Sequence, residues 1–459
     1  MIVLKFGGTS VASMLKIDQA VSIAEASLRE CPVLVSSAMG DTTDLLVDIT
    51  ASAASGNREA TRRSLDSIRE SHLETAGLIE SAEIRSGCEA DIGAYVHELE
   101  SLATGVSLIQ ECSPRTQDAI LAFGELLSTR IIAARAMDRG INTRLVDSRD
   151  FILTDDSFTR AAVDIERSYA AIQDHLGTSS ETLIIAQGFI GRTRSGVTST
   201  LGRGGSDYSA ALIGAALQAE RVEIWTDVDG IMTTDPRLVP SARTVTHMSY
   251  DEAAELAFFG ARVVHPSTIQ PAIDRNIPVY VRNTSHPDRT GTQIQRGVTA
   301  TGVRALATKS DVSVITVRSS RMLNAYGFLA QIFAVFDRHR ISVDLVTTSE
   351  VSVSMSIDDD RNLFELQRDL GSLGTVEIER KQAIVSLVGQ DIWKDSRTVA
   401  RVFGVLAGIP IRMVSLGNSD VNLSMVVGSE QVSDTVTRLH TEFFDRDGSF
   451  PTDEVQSVR

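Results

Sequence analysis

The stretch that decides the fold is residues 2–10, IVLKFGGTS, a short apolar run that ends in a lysine and two glycines. Similar runs, rich in β-branched side chains, recur between longer helical patterns at residues 33–35, 183–185, 222–225 and 279–281. Continuous apolar strands separated by helices are typical of a parallel sheet that is covered on both faces. The sequence therefore predicts an α/β fold whose ligands bind beyond the carboxyl ends of the strands.

The composition is that of a globular protein with several domains. The chain has 459 residues, 42% of them hydrophobic and 23% charged, and such a length predicts two to four domains of roughly 100 to 250 residues. A net charge of −16 argues against nucleic acid as a partner, because a nucleic-acid-binding surface needs a basic stripe. Lys5 interrupts what would be the apolar core of a signal peptide, and no run of about 18 apolar residues occurs. We therefore expect a cytoplasmic protein without a membrane partner.

The three cysteines, Cys31, Cys88 and Cys112, lie far apart and form no C-x-x-C pair. Neither a protein-bound zinc site nor a disulfide framework is supported by this spacing. We expect buried thiols in a reducing compartment.

After about residue 300 the chain contains an internal repeat with an offset of 70 residues, as between Ile341 and Ile411. Each copy predicts a helix, at 328–339 and 396–407, followed by a strand, a turn and a second strand. The recurring residues, in one ungapped register, are Phe333, Val335, Ile341, Ser349, Val351, Ser354 and Met355, matched by Phe403, Val405, Ile411, Ser419, Val421, Ser424 and Met425. Two copies are too few for a solenoid, so we predict a pair of small α+β modules that serve regulation or docking.

The loop after the first run is a candidate phosphate site. It is not a P-loop, because the dipeptide Gly-Lys occurs nowhere in the chain. Lys5 stands at the end of the strand, just before Gly7 and Gly8, whose missing Cβ atoms let a phosphate approach the backbone. Thr9 and Ser10 add hydroxyl donors and a possible cap for the next helix. A simple turn between strand and helix is the alternative reading of this loop.

A second glycine loop lies at residues 200–211, TLGRGGSDYSAA, in front of a helical pattern. It lacks the third glycine of the dinucleotide fingerprint, because Asp207 stands in that position. Ser206 or Asp207 is expected to cap the helix, and Asp207 as a cap alone is the alternative to a functional role. Arg203, among three glycines, is suited to grip a carboxylate or phosphate with two hydrogen bonds.

Three further positions carry polar groups with a possible function. The strand at 222–226 ends in Thr226 and Asp227, and a turn follows at Asp235, Pro236 and Arg237. An acidic loop after a strand suits the ribose, the metal or the phosphates of a nucleotide. Glu125 lies on an otherwise apolar helix, where an acid is either solvated or directed at a cationic ligand.

Together these segments resemble the aspartate kinases of the amino acid kinase family. The resemblance rests on KFGGTSV, SSAMGDTTDLL, FGELLSTR, TLGRGGSDYSAAL, WTDVDGIMTTDPR, FGARVVHPSTIQPA and NTSHPDRTGTQI, which occur in this order. The repeats resemble the tandem ACT domains of the family, and RMLNAYGFLAQIF with ISVDLVTTSEVSVS resembles its lysine-sensitive branch. The resemblance implies a parallel-sheet α/β/α catalytic domain at 1–297 and two ACT domains, at 305–379 and 380–450.

The implied reaction is transfer of the γ-phosphoryl group of ATP, with Mg²⁺, to the side-chain carboxylate of L-aspartate, on the route to lysine, threonine and methionine. A substrate carboxylate with a pKa near 3.9 is already ionised at pH 7, so no general base is needed. Lys5 and Asp207 match the catalytic pair of the family. The implied substrate-binding residues are Ser37, Thr43, Glu125, Arg203 and Ser206, with Glu125 on the ammonium group and Arg203 on a carboxylate.

For the nucleotide the resemblance implies a set of glycine, hydroxyl and charged residues: Gly7, Gly8, Thr9, Ser10, Thr226, Asp227, Gly230, Met232, Asp235, Arg237 and Arg262. Two of them depart from the pattern of the family, which often has an aromatic residue at Met232 and a lysine at Arg262. Methionine still covers an adenine face and arginine keeps the charge, so the departures bear on ATP affinity.

The ACT modules imply an oligomer of identical chains, dimer or tetramer, and an amino acid effector bound at their interface. Asp344 is the natural partner of the effector's ammonium group, and Gly327 lets the backbone approach its carboxylate. The full implied set is Met322, Asn324, Gly327, Leu329, Ser342, Asp344, Thr348 and Ser349. We expect feedback inhibition by L-lysine, with threonine as the alternative effector.

Two other functions compete with this interpretation. UMP kinases, acetylglutamate kinases and glutamate 5-kinases share the glycine loops and an N-terminal lysine. A sensor that has lost catalysis would keep the ACT pair alone. The C-terminal repeats, and the co-occurrence of Glu125 with Arg203, a pair suited to an α-amino acid, disfavour the first group. The presence of Lys5 and Asp207 disfavours the second.

Overall fold

The computed structural model describes residues 1–177, 182–260, 264–298, 301–323, 326–417 and 419–445. The strands are β1 Ile2–Phe6, β2 Pro32–Ser36, β3 Thr143–Leu145, β4 Leu153–Thr154, β5 Leu183–Gln187, β6 Ile190–Thr193, β7 Thr198–Thr200, β8 Arg221–Thr226, β9 His247–Met248, β10 Val279–Asn283, β11 Thr292–Ile294, β12 Ala305–Arg318, β13 Val346–Thr348, β14 Ser352–Ile357, β15 Thr375–Val388, β16 Met413–Leu416 and β17 Asn422–Gly428. The helices are α1 Met14–Ala26, α2 Thr42–Ala54, α3 Arg58–Gly77, α4 Ala82–Ile109, α5 Pro114–Leu121, α6 Phe123–Asp138, α7 Ile165–Leu176, α8 Gly205–Ala216, α9 Tyr250–Phe258, α10 Pro266–Asp274, α11 Phe328–His339, α12 Leu363–Leu370, α13 Ser396–Val405 and α14 Val432–His440.

The chain divides into two compact units. The N-terminal unit comprises Met1–Ile231 and Val264–Arg296, and the C-terminal unit comprises the described residues of Met232–Val263 and Gly297–Arg459. The described residues of Met232–Val263, which the resemblance places in the catalytic domain, therefore group with the C-terminal unit. Within the described residues, no helix combines the length and the apolar character that a membrane-spanning helix needs.

A twisted sheet forms the centre of the N-terminal unit, with its strands in the order β3-β5-β2-β1-β8-β10-β11. All neighbouring pairs are parallel except β10 and β11. Ile2, Leu4 and Phe6 pack into one buried cluster with residues of helices α1 to α6, while α8 contacts β1, β2 and β8. The prediction of an α/β fold is confirmed. All five apolar runs are strands of this sheet.

The C-terminal unit contains one six-stranded antiparallel sheet in the order β13-β14-β12-β15-β17-β16. The repeat is real in three dimensions, because Thr316 Oγ1 lies 2.9 Å from Ser354 Oγ, and Ser386 Oγ, 70 positions after Thr316, lies 2.9 Å from Ser424 Oγ. The two modules are interleaved rather than separate. Each of the long strands β12 and β15 pairs with the other along both modules, and Leu306 and Ile315 of β12 belong to different hydrophobic clusters.

The prediction that the cysteines are buried is confirmed only for Cys88. Cys31 and Cys112 are partly exposed, because both lie in connections at the ends of helices rather than inside them. All three are free thiols.

Candidate active site

Lys5 and Asp207 form an ion pair at the carboxyl edge of the sheet. Lys5 Nζ lies 2.7 Å from Asp207 Oδ1, and the two side chains are only 12% and 15% exposed. Lys5 is held in register by parallel pairing of β1 with Val35 of β2 and Ile224 of β8, and Asp207 lies in the first turn of α8. The two glycine loops recognised in the sequence are therefore brought together around one ammonium group.

The loop after Lys5 packs closely against the loop after β2. A Cβ added at Gly8 would lie 2.9 Å from the carbonyl oxygen of Ala38 and 3.0 Å from that of Gly40, so no side chain fits there. The Gly40 N–H donates to the Gly8 carbonyl, which ties this loop to the one after β2. Glycine at position 8 is therefore required by the packing of the two loops, and the approach of a phosphate to this backbone stays a prediction.

Both sequence-based predictions of helix caps at these loops were wrong. The cap of α1 is Ser13, whose side chain accepts from the Lys16 N–H, whereas Thr9 and Ser10 lie in a short 3-10 turn. Helix α8 begins after Gly204, which adopts a left-handed conformation (φ 73°) and provides no side-chain cap. Ser206 and Asp207 lie inside the first turn, so their side chains point to other partners. A glycine cap leaves the first N–H groups of α8 without side-chain acceptors, as an anion site requires.

The buried Ser10 hydroxyl is engaged within the protein. It donates to the Trp225 carbonyl oxygen at 3.4 Å and accepts from Thr284 Oγ1 at 2.7 Å. Thr9 is exposed. The assignment of both residues to the nucleotide stays a prediction.

Glu125 is the most perturbed group near Lys5. Its side chain is 3% exposed, and Oε1 accepts from the Ala38 N–H at 3.1 Å. Gly124 makes this approach possible, because a Cβ there would lie 2.7 Å from the Cβ of Ala38. Burial raises the pKa of Glu125 to about 8, although the Ala38 N–H and the charge of Lys5 both oppose the shift. Oε2 is buried and, among the described residues, has no hydrogen-bond partner. Of the two alternatives in the sequence, the solvated acid is therefore wrong.

Arg203 and the hydroxyl residues complete the N-terminal set. Arg203 is exposed, and no acidic side chain of the described part of the chain forms an ion pair with it. Ser206 is nearly buried against Gly188, while Ser37 and Thr43 are partly exposed after β2 and at the start of α2. Ser37 and Thr43 follow β2, as the rule for parallel sheets predicts, whereas Arg203 and Ser206 follow β7, which pairs antiparallel with β6 in a separate three-stranded sheet.

The predicted nucleotide residues fall into both units. Thr226 and Asp227 follow β8 in the N-terminal unit, where Thr226 Oγ1 donates to Asp227 Oδ1 at 3.2 Å. Gly230 is buried in the same loop.

The other residues predicted to bind the nucleotide lie outside the N-terminal unit or outside the described residues. Met232, Asp235 and Arg237 lie in the C-terminal unit. The predicted turn at Asp235 is confirmed, because the Leu238 N–H donates to its carbonyl oxygen. Arg262 lies outside the described residues.

Sequence reasoning missed Asp118, a fully buried acid of α5. Its partners, Thr159 and Thr200, are 41 and 82 positions away in the chain. No local pattern marks such a residue, because an isolated acid on a helix is usually solvated.

In the C-terminal unit, Asp344 lies in a strongly charged cluster. Its Oδ1 pairs with Lys309 Nζ at 2.7 Å, and Lys309 also pairs with Asp358 at 2.9 Å and lies over the Phe258 ring. The Asp344 side chain is 3% exposed, and burial raises its pKa against the opposing effect of Lys309. Oδ2 is buried and has no hydrogen-bond partner among the described residues. One carboxylate oxygen of Asp344, the residue predicted to bind the effector, is thus already paired with Lys309.

The other predicted effector residues surround the start of α11 and the β13–β14 hairpin. Gly327 caps α11, Met322 packs against its hydrophobic cluster, and Ser349 Oγ lies 2.7 Å from Ser352 Oγ. Leu329, Ser342 and Thr348 are exposed. Asn324 lies outside the described residues.

A parallel α/β sheet with a lysine, two glycine loops and a buried glutamate at its carboxyl edge defines a kinase for small molecules. A model of the amino acid kinase family matches residues 1–283, and a model of the ACT domain matches residues 385–443. The chain belongs to the amino acid kinase family, and within it to the aspartokinases.

The relatives support this at full length. The lysine-sensitive aspartokinase 3 of Escherichia coli is 38% identical over 97% of this chain and 99% of its own. A crystal structure of E. coli aspartokinase III with aspartate and ADP (R-state) is 36% identical, with a TM-score of 0.82 over 97% of this chain and 100% of that one. A second, with lysine and aspartate (T-state), is also 36% identical with a TM-score of 0.82, over 97% and 99%.

Proposed function

We propose that the chain transfers the γ-phosphoryl group of ATP to the β-carboxylate of L-aspartate, giving 4-phospho-L-aspartate. The observation that carries this proposal is Glu125. A buried carboxylate with one unpartnered oxygen, near Lys5, requires a cationic ligand to become charged at neutral pH. The ammonium group of an α-amino acid meets that need, whereas UMP and N-acetylglutamate lack such a group. The aspartate and ADP bound to E. coli aspartokinase III support the same choice.

In this proposal, protein side chains bind both the ammonium group and the α-carboxylate of the substrate. Glu125 Oε2 accepts from the substrate ammonium group, and Arg203 pairs with the α-carboxylate. Ser37, Thr43 and Ser206 lie on the loops that flank them and add hydroxyl contacts. Arg203 suits this role because, being exposed and without an acidic partner in the described part of the chain, it loses no internal ion pair when it binds.

The transfer itself needs no proton abstraction. An oxygen of the ionised β-carboxylate attacks the γ-phosphorus, the bond from that phosphorus to the bridging oxygen breaks, and ADP leaves with the electron pair. The negatively charged carboxylate of the substrate, the transferred phosphoryl group and the departing ADP must be held together, which is an electrostatic task. Lys5 neutralises charge on the transferred group, and Asp207 holds its ammonium at 2.7 Å.

ATP is proposed to place its phosphates beside Lys5, near the backbone of Gly7 and Gly8, and at the start of α8. Thr226, Asp227, Gly230, Met232, Asp235, Arg237 and Arg262 remain the proposed contacts for the rest of the nucleotide. Mg²⁺ would enter with the phosphates and spread their charge, since it is usually bound by phosphates, waters and one or two carboxylates.

ADP release is expected to depend on L-aspartate as the acceptor. L-Glutamate, one methylene longer, should have a kcat/KM about 10- to 200-fold lower. N-Acetyl-L-glutamate and UMP should give no turnover above the rate of ATP hydrolysis without acceptor, because neither brings an ammonium group to Glu125. A coupled assay of ADP with each acceptor at equal concentration decides this. Faster turnover with UMP or N-acetyl-L-glutamate would contradict the proposal.

The C-terminal unit is proposed to be regulatory, with domain boundaries at 1–297, 305–379 and 380–450. The name of the E. coli relative and its structure with lysine support L-lysine as the effector. Its ammonium group would bind Asp344 Oδ2, which lies opposite the oxygen that Lys309 occupies. Binding would then favour one of two states of the enzyme that differ in activity.

Asp344→Asn is expected to raise the lysine concentration for half-maximal inhibition at least about 10-fold, because a buried charged hydrogen bond is lost. The rate without lysine should change less than about twofold, because the substitution keeps the shape of the side chain. Asp358→Asn is the matched control, since Asp358 also pairs with Lys309 but is 45% exposed. Equal effects of the two variants on inhibition would refute a direct role for Asp344.

We also propose a homo-oligomer formed through the ACT modules. Apolar side chains of α11 and of the β13–β14 hairpin are exposed, namely Leu329, Phe333, Val346 and Val351. Such a patch is typical of a surface that is covered in an assembly. A cytoplasmic location remains a prediction from the sequence.

A further inference from the structure

Asp118 accepts four hydrogen bonds and joins two segments that are distant in the chain. Its Oδ1 and Oδ2 accept from the Thr159 N–H at 3.1 and 2.9 Å. Oδ2 also accepts from the Thr200 N–H at 2.9 Å, and Oδ1 accepts from Thr200 Oγ1 at 2.7 Å. The Asp118 side chain is fully buried, so water cannot take its place as the acceptor for these donors.

Thr159 is held in an uncommon conformation by this contact. Its φ of 72° lies in the left-handed region, which is costly for a β-branched residue. Two residues further on, the Ala161 N–H donates to the Thr200 carbonyl oxygen at 2.9 Å. Both segments are therefore fixed to each other and to α5.

The two segments support the loop that carries Arg203. Thr200 ends β7, and Gly202 follows two residues later. A Cβ added at Gly202 would lie 3.1 Å from the Thr159 carbonyl oxygen and 3.1 Å from Arg160 Cγ, so the loop packs directly against these two residues. Helix α8 and Asp207 continue from the same loop.

On its other side, Asp118 belongs to the helix that leads to Glu125. Helix α5 ends at Leu121, and α6 begins at Phe123 with Glu125 in its first turn. One buried carboxylate thus connects the proposed ammonium ligand with the loop of the proposed carboxylate ligand. We propose that Asp118 is a positioning residue that sets the spacing between Glu125 and Arg203, and thereby the affinity for the amino acid substrate. This inference rests on the proposed function.

Asp118→Asn keeps the size of the side chain but replaces one acceptor oxygen with an NH₂ group, which faces N–H donors. We expect the KM for aspartate to rise at least about 10-fold, because small displacements of a gripping loop are costly. The KM for ATP should rise less than the KM for aspartate, since the proposed phosphate contacts at Gly7 and Gly8 lie outside the segments that Asp118 bonds.

Asp138→Asn is the matched control. Asp138 is also an acid of low exposure, at 3%, and accepts from the Glu80 and Ser81 N–H groups, but it lies at the far end of α6. Its variant should lose stability with an unchanged KM for aspartate. Equal KM values in the two variants would overturn the proposal, because a merely structural acid affects stability alone.

Thr159→Gly in the Asp118→Asn background tests the mechanism directly. Glycine adopts the left-handed conformation without the contact to Asp118. The KM for aspartate should therefore be at least about threefold lower in the double variant than in Asp118→Asn. The experiment is steady-state kinetics of both variants beside the wild type, with aspartate and ATP varied in turn. Absence of aspartate-dependent turnover in the wild type would overturn the proposed function itself. A normal wild type with an unshifted KM in Asp118→Asn, or no recovery in the double variant, would overturn only the positioning role.

Discussion

Lys5→Met is expected to lower kcat by about 10²- to 10³-fold, the usual effect of removing one group that stabilises charge in a transition state. Methionine keeps the length and most of the packing of the lysine stem but brings no charge to the phosphoryl group. The KM for aspartate should change much less, because Glu125 and Arg203 hold that substrate. Steady-state rates of ADP release, with both substrates varied, measure the two effects separately.

A second variant separates the chemistry of Lys5 from its structural role. Lys5→Met leaves Asp207, with a side chain only 15% exposed, without its ion-pair partner, so the melting temperature should fall. Lys5→Met combined with Asp207→Asn removes the unpaired charge, so the double variant should regain most of the stability and none of the activity. Lys16→Met controls for loss of a lysine elsewhere, since Lys16 is bonded to Ser285 on the surface. Activity that returns together with stability would make Lys5 a structural residue.

The sequence predicts the central sheet because its signal is local. Each of the five apolar runs forms a mostly buried strand, so the pattern of a few neighbouring residues is enough to place it in the sheet. Lys5 is predicted for the same reason, since it stands where a strand ends. Its distance of 2.7 Å from Asp207 depends on packing across the chain and is visible only in the structure.

The features that sequence reasoning missed depend on long-range contacts. Asp118 is bonded to residues 41 and 82 positions away, and Lys309 pairs with Asp344, 35 positions away. The cap of α8 was misassigned for a local reason. Serine and aspartate are preferred caps, but Gly204 takes the position because a left-handed residue is needed there.

Glu125→Gln is expected to make the enzyme much worse and the ligand-free protein more stable at alkaline pH. The amide cannot carry the negative charge that holds the substrate ammonium group, so the KM for aspartate should rise at least about 30-fold. The stability effect follows from the pKa of Glu125, which burial raises from its ordinary value of 4.5 to about 8. The wild type must bury a charge above pH 8 that the variant never carries.

The sign of the pH dependence can be worked out from the two pKa values. Between pH 4.5 and about 8 the native wild type holds a proton on Glu125 that the unfolded chain has released, so its stability falls as the pH rises through this window. The melting temperatures of the two proteins should therefore be similar near pH 5. They should diverge towards pH 8.5, with Glu125→Gln the higher. A difference that is constant with pH would contradict the raised pKa.

Aspartate binding should release a proton from Glu125 at pH 7. Without substrate the carboxyl group is mostly protonated, since its pKa is about 8, and the arriving ammonium group favours the ionised form. Calorimetric titration in buffers of different ionisation enthalpy measures this release, which should approach one proton in the wild type and vanish in Glu125→Gln. Glu252→Gln is the control, because Glu252 is also buried with a raised pKa but is engaged in the cap of α9. Proton release that survives in Glu125→Gln would assign the perturbed group, and with it the ammonium site, to another residue.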